Sequence, residues 1–109
     1  MTDLPDSRAI ALFLDMLASE RGAARNTLLA YGRDLEGASA DLSGRLAGAG
    51  GEDLERLFAG WADLAPASLS RKRSALRRFF AFLVAEGIRP DNPALAIAGV
   101  KAGRPLPKT

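Results

Sequence analysis

Apolar residues in this chain recur with the period of an α-helix, and no run alternates over enough positions to make a strand. That pattern predicts an all-α fold, a bundle of four helices. Ile10, Phe13, Leu14 and Leu17 repeat at i, i+3, i+4, i+7 behind Pro5, with Asp6 or Ser7 as the expected cap and Gly22 as the stop. A second helix is expected from about Arg25 to Leu42, with Leu28, Tyr31, Leu35, Ala38 and Leu42 on one side. A glycine-rich loop from Gly44 to Gly51 follows. The third, about Glu52 to Asp63, aligns Leu54, Leu57, Phe58 and Trp61, and its first turn holds Glu52, Asp53 and Glu55, where the helix dipole favours acids. The fourth and longest starts near Pro66, whose missing N–H is no loss at a first helical position, and stops at Gly87. Its apolar stripe is Leu69, Leu76, Phe79, Phe80, Leu83 and Val84. Asn92 is the expected cap of one last short piece, Ala94 to Ile97, with Pro93 behind it.

The chain's 109 residues suffice for one modest core and not for two. From Gly99 the sequence turns to Val-Lys-Ala-Gly-Arg-Pro-Leu-Pro-Lys-Thr, a linker composition. Residues 1–98 are therefore expected to form the domain and residues 99–109 a linker toward something further along a longer protein. Uncharged stretches end well before the 18 or so apolar residues a membrane span needs, so no membrane partner is expected and a cytoplasmic location is the default. There is no cysteine and no histidine. Thiolate chemistry is thereby excluded, the commonest general base and metal ligand is missing, and no catalytic group, metal site or cofactor is expected within this stretch.

Charge is unevenly distributed. Residues 1–63 carry six arginines against eleven acidic residues, a balance of −5, whereas residues 64–109 carry nine basic residues against Glu86 and Asp91, a balance of +7. The formal net charge of +2 conceals this split. A basic face displaces counterions from phosphate while an acidic remainder limits indiscriminate adhesion, so the asymmetry points to a polyanionic partner. Solvated helix faces are also charged for solubility alone, and position has to decide between the two.

Projection of the fourth helix at 100° per residue gathers Ser70, Arg71, Ser74, Arg77 and Arg78 opposite Leu69, Leu76 and Phe80, continued by Ala81 and Ala85. This outer face is basic, narrow and without acid. Short side chains interspersed with a few donors are what a helix needs to approach base edges in the major groove. Ser68, near the helix start, can hold the backbone together with main-chain N–H groups. Lys72 and Arg73 flank the apolar stripe, where their stems can pack on the bundle and their charges reach outward. The second helix has a weaker stripe of the same kind, Asn26, Ala30, Arg33 and Gly37, with Thr27 in its first turn. No zinc-ligand set, phosphate-binding glycine loop or aromatic stacking platform competes with this reading.

The runs Phe13-Leu14-Asp15-Met16-Leu17, Asn26-Thr27-Leu28-Leu29-Ala30-Tyr31-Gly32-Arg33-Asp34-Leu35, Leu64-Ala65-Pro66-Ala67-Ser68-Leu69-Ser70-Arg71-Lys72-Arg73-Ser74-Ala75-Leu76-Arg77-Arg78-Phe79-Phe80, Glu86-Gly87, Asp91-Asn92-Pro93-Ala94 and Arg104-Pro105-Leu106-Pro107-Lys108 resemble the N-terminal core-binding domain of tyrosine recombinases of the phage integrase family, the XerC/XerD type in particular. The resemblance covers nearly the whole chain in order. It implies a SAM-like four-helix domain that forms one arm of a C-shaped clamp on a recombination half-site of double-stranded DNA. Carried over position by position, it implies DNA contacts from Asn26, Thr27, Arg33, Ser68, Arg71, Lys72 and Ser74, with Arg77 on the backbone; Ser70 joins them from the projection.

The same resemblance implies that the catalytic tyrosine and its arginine, lysine and histidine partners belong to a separate C-terminal domain, and that the parent recombinase works as a tetramer whose subunits touch. The present stretch alone is expected to be monomeric and to cut nothing. Tyr31 stands at a position that packs the bundle and is not the nucleophile. Departures from the family pattern are Ala24 and Ala65 where serine or threonine is usual, Gly32 where a second basic residue is common, with one phosphate contact fewer, and Arg73 where leucine is common. A helical protein-interaction module, binding partner subunits through its first helix or tail, is the alternative. The resemblance leaves open whether the parent resolves chromosome dimers or integrates mobile DNA.

Overall fold

The structure is a computed structural model that describes residues 4–21 and 24–95. Four helices are present, α1 (Asp6–Arg21), α2 (Arg25–Asp41), α3 (Gly51–Gly60) and α4 (Pro66–Ala85), and a last helical turn opens at Pro93. Among the described residues there is no strand. The all-α expectation holds. The expected linker, residues 99–109, and the end of the last short helix, Ile97, lie outside the described residues.

α1 and α2 pack as a hairpin, and α4 lies across both of them. The join is aromatic. The Phe13 ring of α1 meets Phe79 edge-on at a centroid distance of 5.7 Å and Phe82 at 5.8 Å, and Phe79 in turn meets Phe80 at 5.4 Å. Edge-to-face pairs at these separations add to the burial of the rings. α3 contributes Leu54, Leu57 and Phe58, with Trp61 just beyond its end, so the expected stripe of this helix is buried in full.

Helix ends follow local chemistry. α4 closes in a Schellman arrangement: Gly87 takes φ +73°, its N–H donates to the Val84 carbonyl, and the Ile88 N–H donates to Leu83 at 2.8 Å. α2 closes the same way, with Ser43 rather than glycine at φ 57° and the Gly44 N–H donating to Ser39. Asn92 caps the last turn as expected, its side-chain oxygen accepting from the Ala94 N–H at 3.1 Å.

Three expectations change. Asp6 caps nothing of its own helix: it is the first helical residue, and its carboxylate is buried against the loop after α2, accepting from Ser39 Oγ and from the Leu46 and Ala47 N–H groups. Those loop donors would otherwise be buried without partners, a costly arrangement. α3 stops at Gly60 rather than Asp63, because the Trp61 N–H already turns to both Leu57 and Phe58 and the chain winds through tight turns to Leu64. On α4, Val84 is 37% exposed while Phe82 is buried. A helix with two neighbours buries a wider arc than a single stripe, and here the arc is rotated toward α1, where Phe82 meets Phe13.

Candidate nucleic-acid interface

α4 carries five basic residues and no acidic one over its length. Ser70, Arg71, Arg77 and Arg78 are exposed on it, and Ser68 and Ser74 are half-buried. On α2, Asn26, Thr27 and Arg33 are exposed. Among the described residues, no acidic side chain pairs with Arg33, Arg77 or Arg78. Their charges face solvent. The main chain at Arg77 is held from outside its helix, since Asn92 Nδ2 donates to the Arg77 carbonyl at 3.1 Å.

Arg71 and Lys72 behave differently from that group. Both reach Asp34 of α2, whose side chain is only 4% exposed. Arg71 engages it side-on, Nε to Oδ2 at 2.7 Å and Nη2 to Oδ1 at 2.9 Å, while Lys72 Nζ donates to the same Oδ1 at 3.1 Å. The Lys72 ammonium also lies 5.2 Å from the centroid of the Trp61 ring, a cation–π contact. Lys72 is thus turned inward between α2 and the end of α3, and its side chain is 21% exposed against 43% for Arg71. Of the two, Arg71 is the one that still meets solvent broadly.

Asp34 is the residue of this surface that periodicity and charge in the sequence do not single out. Burial, the largest single influence on it, pushes its carboxyl up. The hydrogen bonds and charges of Arg71 and Lys72 together outweigh that push and hold it below the usual carboxylate range. Conversely, the hydrogen bond to Asp34, followed by its charge, raises the Arg71 guanidinium further. Asp34 stands between Arg33, on the outward stripe of α2, and Leu35, in the core. The pair with Arg71 therefore lies at the seam where the outward faces of α2 and α4 meet, and it fixes one against the other. The available signal was a carboxylate beside a core leucine, which demands a cation from somewhere.

Two helix starts border this surface. α2 begins after Ala24 and α4 after Ala65, neither with a side-chain cap and neither with an acid in its first turn. Their first N–H groups and dipole ends are open to an anion. Gly32, in contrast, is not part of the outward face. It is buried, and a Cβ there would sit 3.3 Å from Leu14 Cδ1 of α1. A side chain there would begin against α1 and require Leu14 to give by a few tenths of an ångström. Arg73 is half-buried at the flank, and Tyr31 is half-buried against the core. Arg89 is committed elsewhere, donating to Asp91 and to the Ala47 carbonyl and lying 5.1 Å from the centroid of the Phe80 ring.

Among the described residues, no group of three or more His, Cys, Asp or Glu side chains gathers as metal ligands do, and no helix is long and apolar enough to cross a membrane. The arrangement offers fixed donors and cations to an extended anion.

Comparison with known proteins identifies the family. The family described as phage integrase, N-terminal SAM-like domain, matches residues 10–87, which include all of α2 and α4. Tyrosine recombinase XerC of Erythrobacter litoralis is 59% identical over 103 residues, covering 94% of this chain and 33% of its own length. Tyrosine recombinase XerD of Caulobacter vibrioides is 50% identical over 101 residues, covering 88% of this chain and 33% of its own. Tyrosine recombinase XerD of Rhizobium meliloti is 42% identical over 114 residues and 36% of its own length. The chain spans about a third of the length of these relatives. No solved structure gives a significant match.

Proposed function

Because the chain belongs to the phage integrase N-terminal SAM-like domain family, we propose that it grips double-stranded DNA at a recombination half-site, as the core-binding domain of a site-specific tyrosine recombinase. The observation that carries this reading is the acid-free, basic outward face of α4, locked beside that of α2 through Arg71 and Asp34. Asn26, Thr27, Arg33, Ser70, Arg71, Ser74 and Arg77 are the contacting residues. Ser68 and the open N–H groups of α2 and α4 hold phosphates, and Lys72 acts through Asp34 rather than on DNA itself. Residues 1–98 form the gripping domain and residues 99–109 the linker to a catalytic domain. Strand cleavage through a tyrosine belongs to that other domain.

A salt titration tests the electrostatic part. If about five phosphates are neutralised, the logarithm of the association constant for a duplex falls with the logarithm of salt concentration at a slope of roughly −4 to −5. Removing Arg77 makes that slope shallower by about 1. A flat response contradicts the reading.

A second reading, contact between recombinase subunits, is favoured by one observation: a groove of about 380 Å³ between α1 and α4, with an apolar lining from Phe13, Met16, Leu17 and Phe82 and with Arg78 and Glu86 also lining it. It lies away from the seam that carries Asp34. Both uses fit one domain, since a recombinase tetramer needs DNA contacts and subunit contacts together.

A further inference from the structure

The side-on engagement of Arg71 determines which of its donors remain. A guanidinium has five N–H donors in a rigid plane, and Asp34 takes the Nε–H and one from Nη2. Among the described residues, nothing else accepts from Arg71. Three donors remain: the end-on edge, with one N–H from Nη1 and one from Nη2 side by side, and the second Nη1 N–H, turned back toward the stem of the side chain.

Two parallel donors match two adjacent acceptors. In the major groove guanine presents that pattern with N7 and O6, whereas adenine pairs an acceptor with a donor, cytosine offers a donor, and thymine an acceptor beside a methyl group. A phosphate also has two oxygens, but a neighbouring carboxylate works against it, because the negative charge that orients the arginine repels the anion it would bind. A base edge carries no formal charge and tolerates that neighbour. The carboxylate is also itself held in place, since Oδ1 is shared with Lys72 and Lys72 lies against the Trp61 ring. The guanidinium plane is therefore set by three elements before any DNA arrives, which removes the rotamer freedom a long side chain otherwise loses on binding.

We propose that Arg71 reads a guanine in the major groove through its Nη1–Nη2 edge, and that Asp34 is the positioning residue that fixes this edge. The inference rests on the DNA reading above and adds the base that is read. Selection of duplexes from a randomised pool by the 109-residue chain tests it, followed by sequencing of what is retained. The chain is expected to enrich a motif with one position dominated by guanine. Arg71→Lys keeps the charge but not the paired donors, and Asp34→Asn keeps the shape but not the side-on anchor. Each is expected to reduce guanine enrichment at that one position by about tenfold while preferences at the other positions persist, which also shows that the variant is folded. Should Asp34→Asn fail to fold, Arg71→Lys decides alone. Unchanged guanine enrichment in Arg71→Lys, or an equal loss at every position, overturns the guanine contact while leaving DNA binding in place. Retention of duplexes by the parent chain without any base preference does the same. A parent chain that retains no duplex at all overturns the DNA reading and this inference with it.

Discussion

The four helix starts divide into two pairs that are treated in opposite ways. α1 opens on Asp6 and α3 carries Glu52 and Asp53 in its first turn, where the Gly50 N–H donates back to the Asp53 carboxylate at 3.1 Å. α2 and α4 open on alanines with no acid in the first turn and no cap. No side chain caps the start of α2, α3 or α4, and Asp6 caps nothing of α1, so the pairs differ in charge: an acid in the first turn offsets the dipole end by roughly 0.3–1 kcal/mol. The two starts left open border the acid-free face of α4 and the outward stripe of α2. The acid-bearing starts belong to the part of the bundle that holds itself together, and the open ones to the part that, in the proposed function, faces DNA.

The buried carboxylates follow the same division. Asp6 is satisfied by Ser39 Oγ and two main-chain N–H groups of one loop, and Asp34 by two cations on the surface of interest. Removing them should have different consequences. Asp6→Ala strips three hydrogen bonds and leaves the Leu46 N–H buried without a partner, so it is expected to destabilise the fold by about 2–4 kcal/mol while the affinity of the folded fraction for DNA stays as it was. Chemical denaturation followed by a binding titration under native conditions checks both. A comparable loss of affinity in the folded fraction would break the division.

A substitution at an open helix start separates stability from function in the other direction. Ala65→Asp supplies an N-cap and an acid to α4, and is expected to raise stability by about 0.5–1 kcal/mol. The same carboxylate stands where a phosphate would approach, and duplex affinity is expected to fall about tenfold, or about 1.4 kcal/mol. Thermal melting and a binding titration on one sample give the two signs. If both quantities rise, the start of α4 is not near DNA.

The smallest effect is in acid. Asp34 has a depressed folded-state value, so its contribution to stability is complete above the unfolded value of about 3.9 and is lost as pH falls through the lower folded value. With Arg71 43% exposed to screening solvent, that contribution is on the order of 1 kcal/mol. The stability difference between the parent chain and Asp34→Asn is therefore expected to be constant from pH 7 down to about 4 and to shrink below that. A difference that persists unchanged to pH 2 would mean that the carboxylate's charge plays no part.

Much of this was readable from the residues because it is local. Periodicity of 3.6 locates each helix within a few residues, Gly87 and Asn92 act on their immediate neighbours, and the outward positions of α4 follow from projection alone. What was not readable depends on how helices cross. Asp34 and Arg71 are 37 residues apart, and only the crossing of α2 by α4 turns a surface arginine into one half of a pair. Lys72 likewise counts as one more positive charge in a sequence tally, yet in the fold it faces Asp34 and Trp61. Asp6 looked like a cap because caps are local, but its partners Leu46 and Ala47 lie 40 and 41 residues on. Val84 and Phe82 exchange places because the buried arc of α4 is set by the direction of its neighbours and not by its own stripe.

Amide chemical-shift mapping of the 109-residue chain on addition of duplex DNA tests the central claim most directly. Perturbations are expected to gather at Asn26 to Arg33 and Ser68 to Arg77, with the start of α3 and the groove around Phe13 and Met16 unmoved. Movement confined to Ile10 to Ser19 on α1, with the α2 and α4 faces silent, would contradict the claim that these two helices grip DNA.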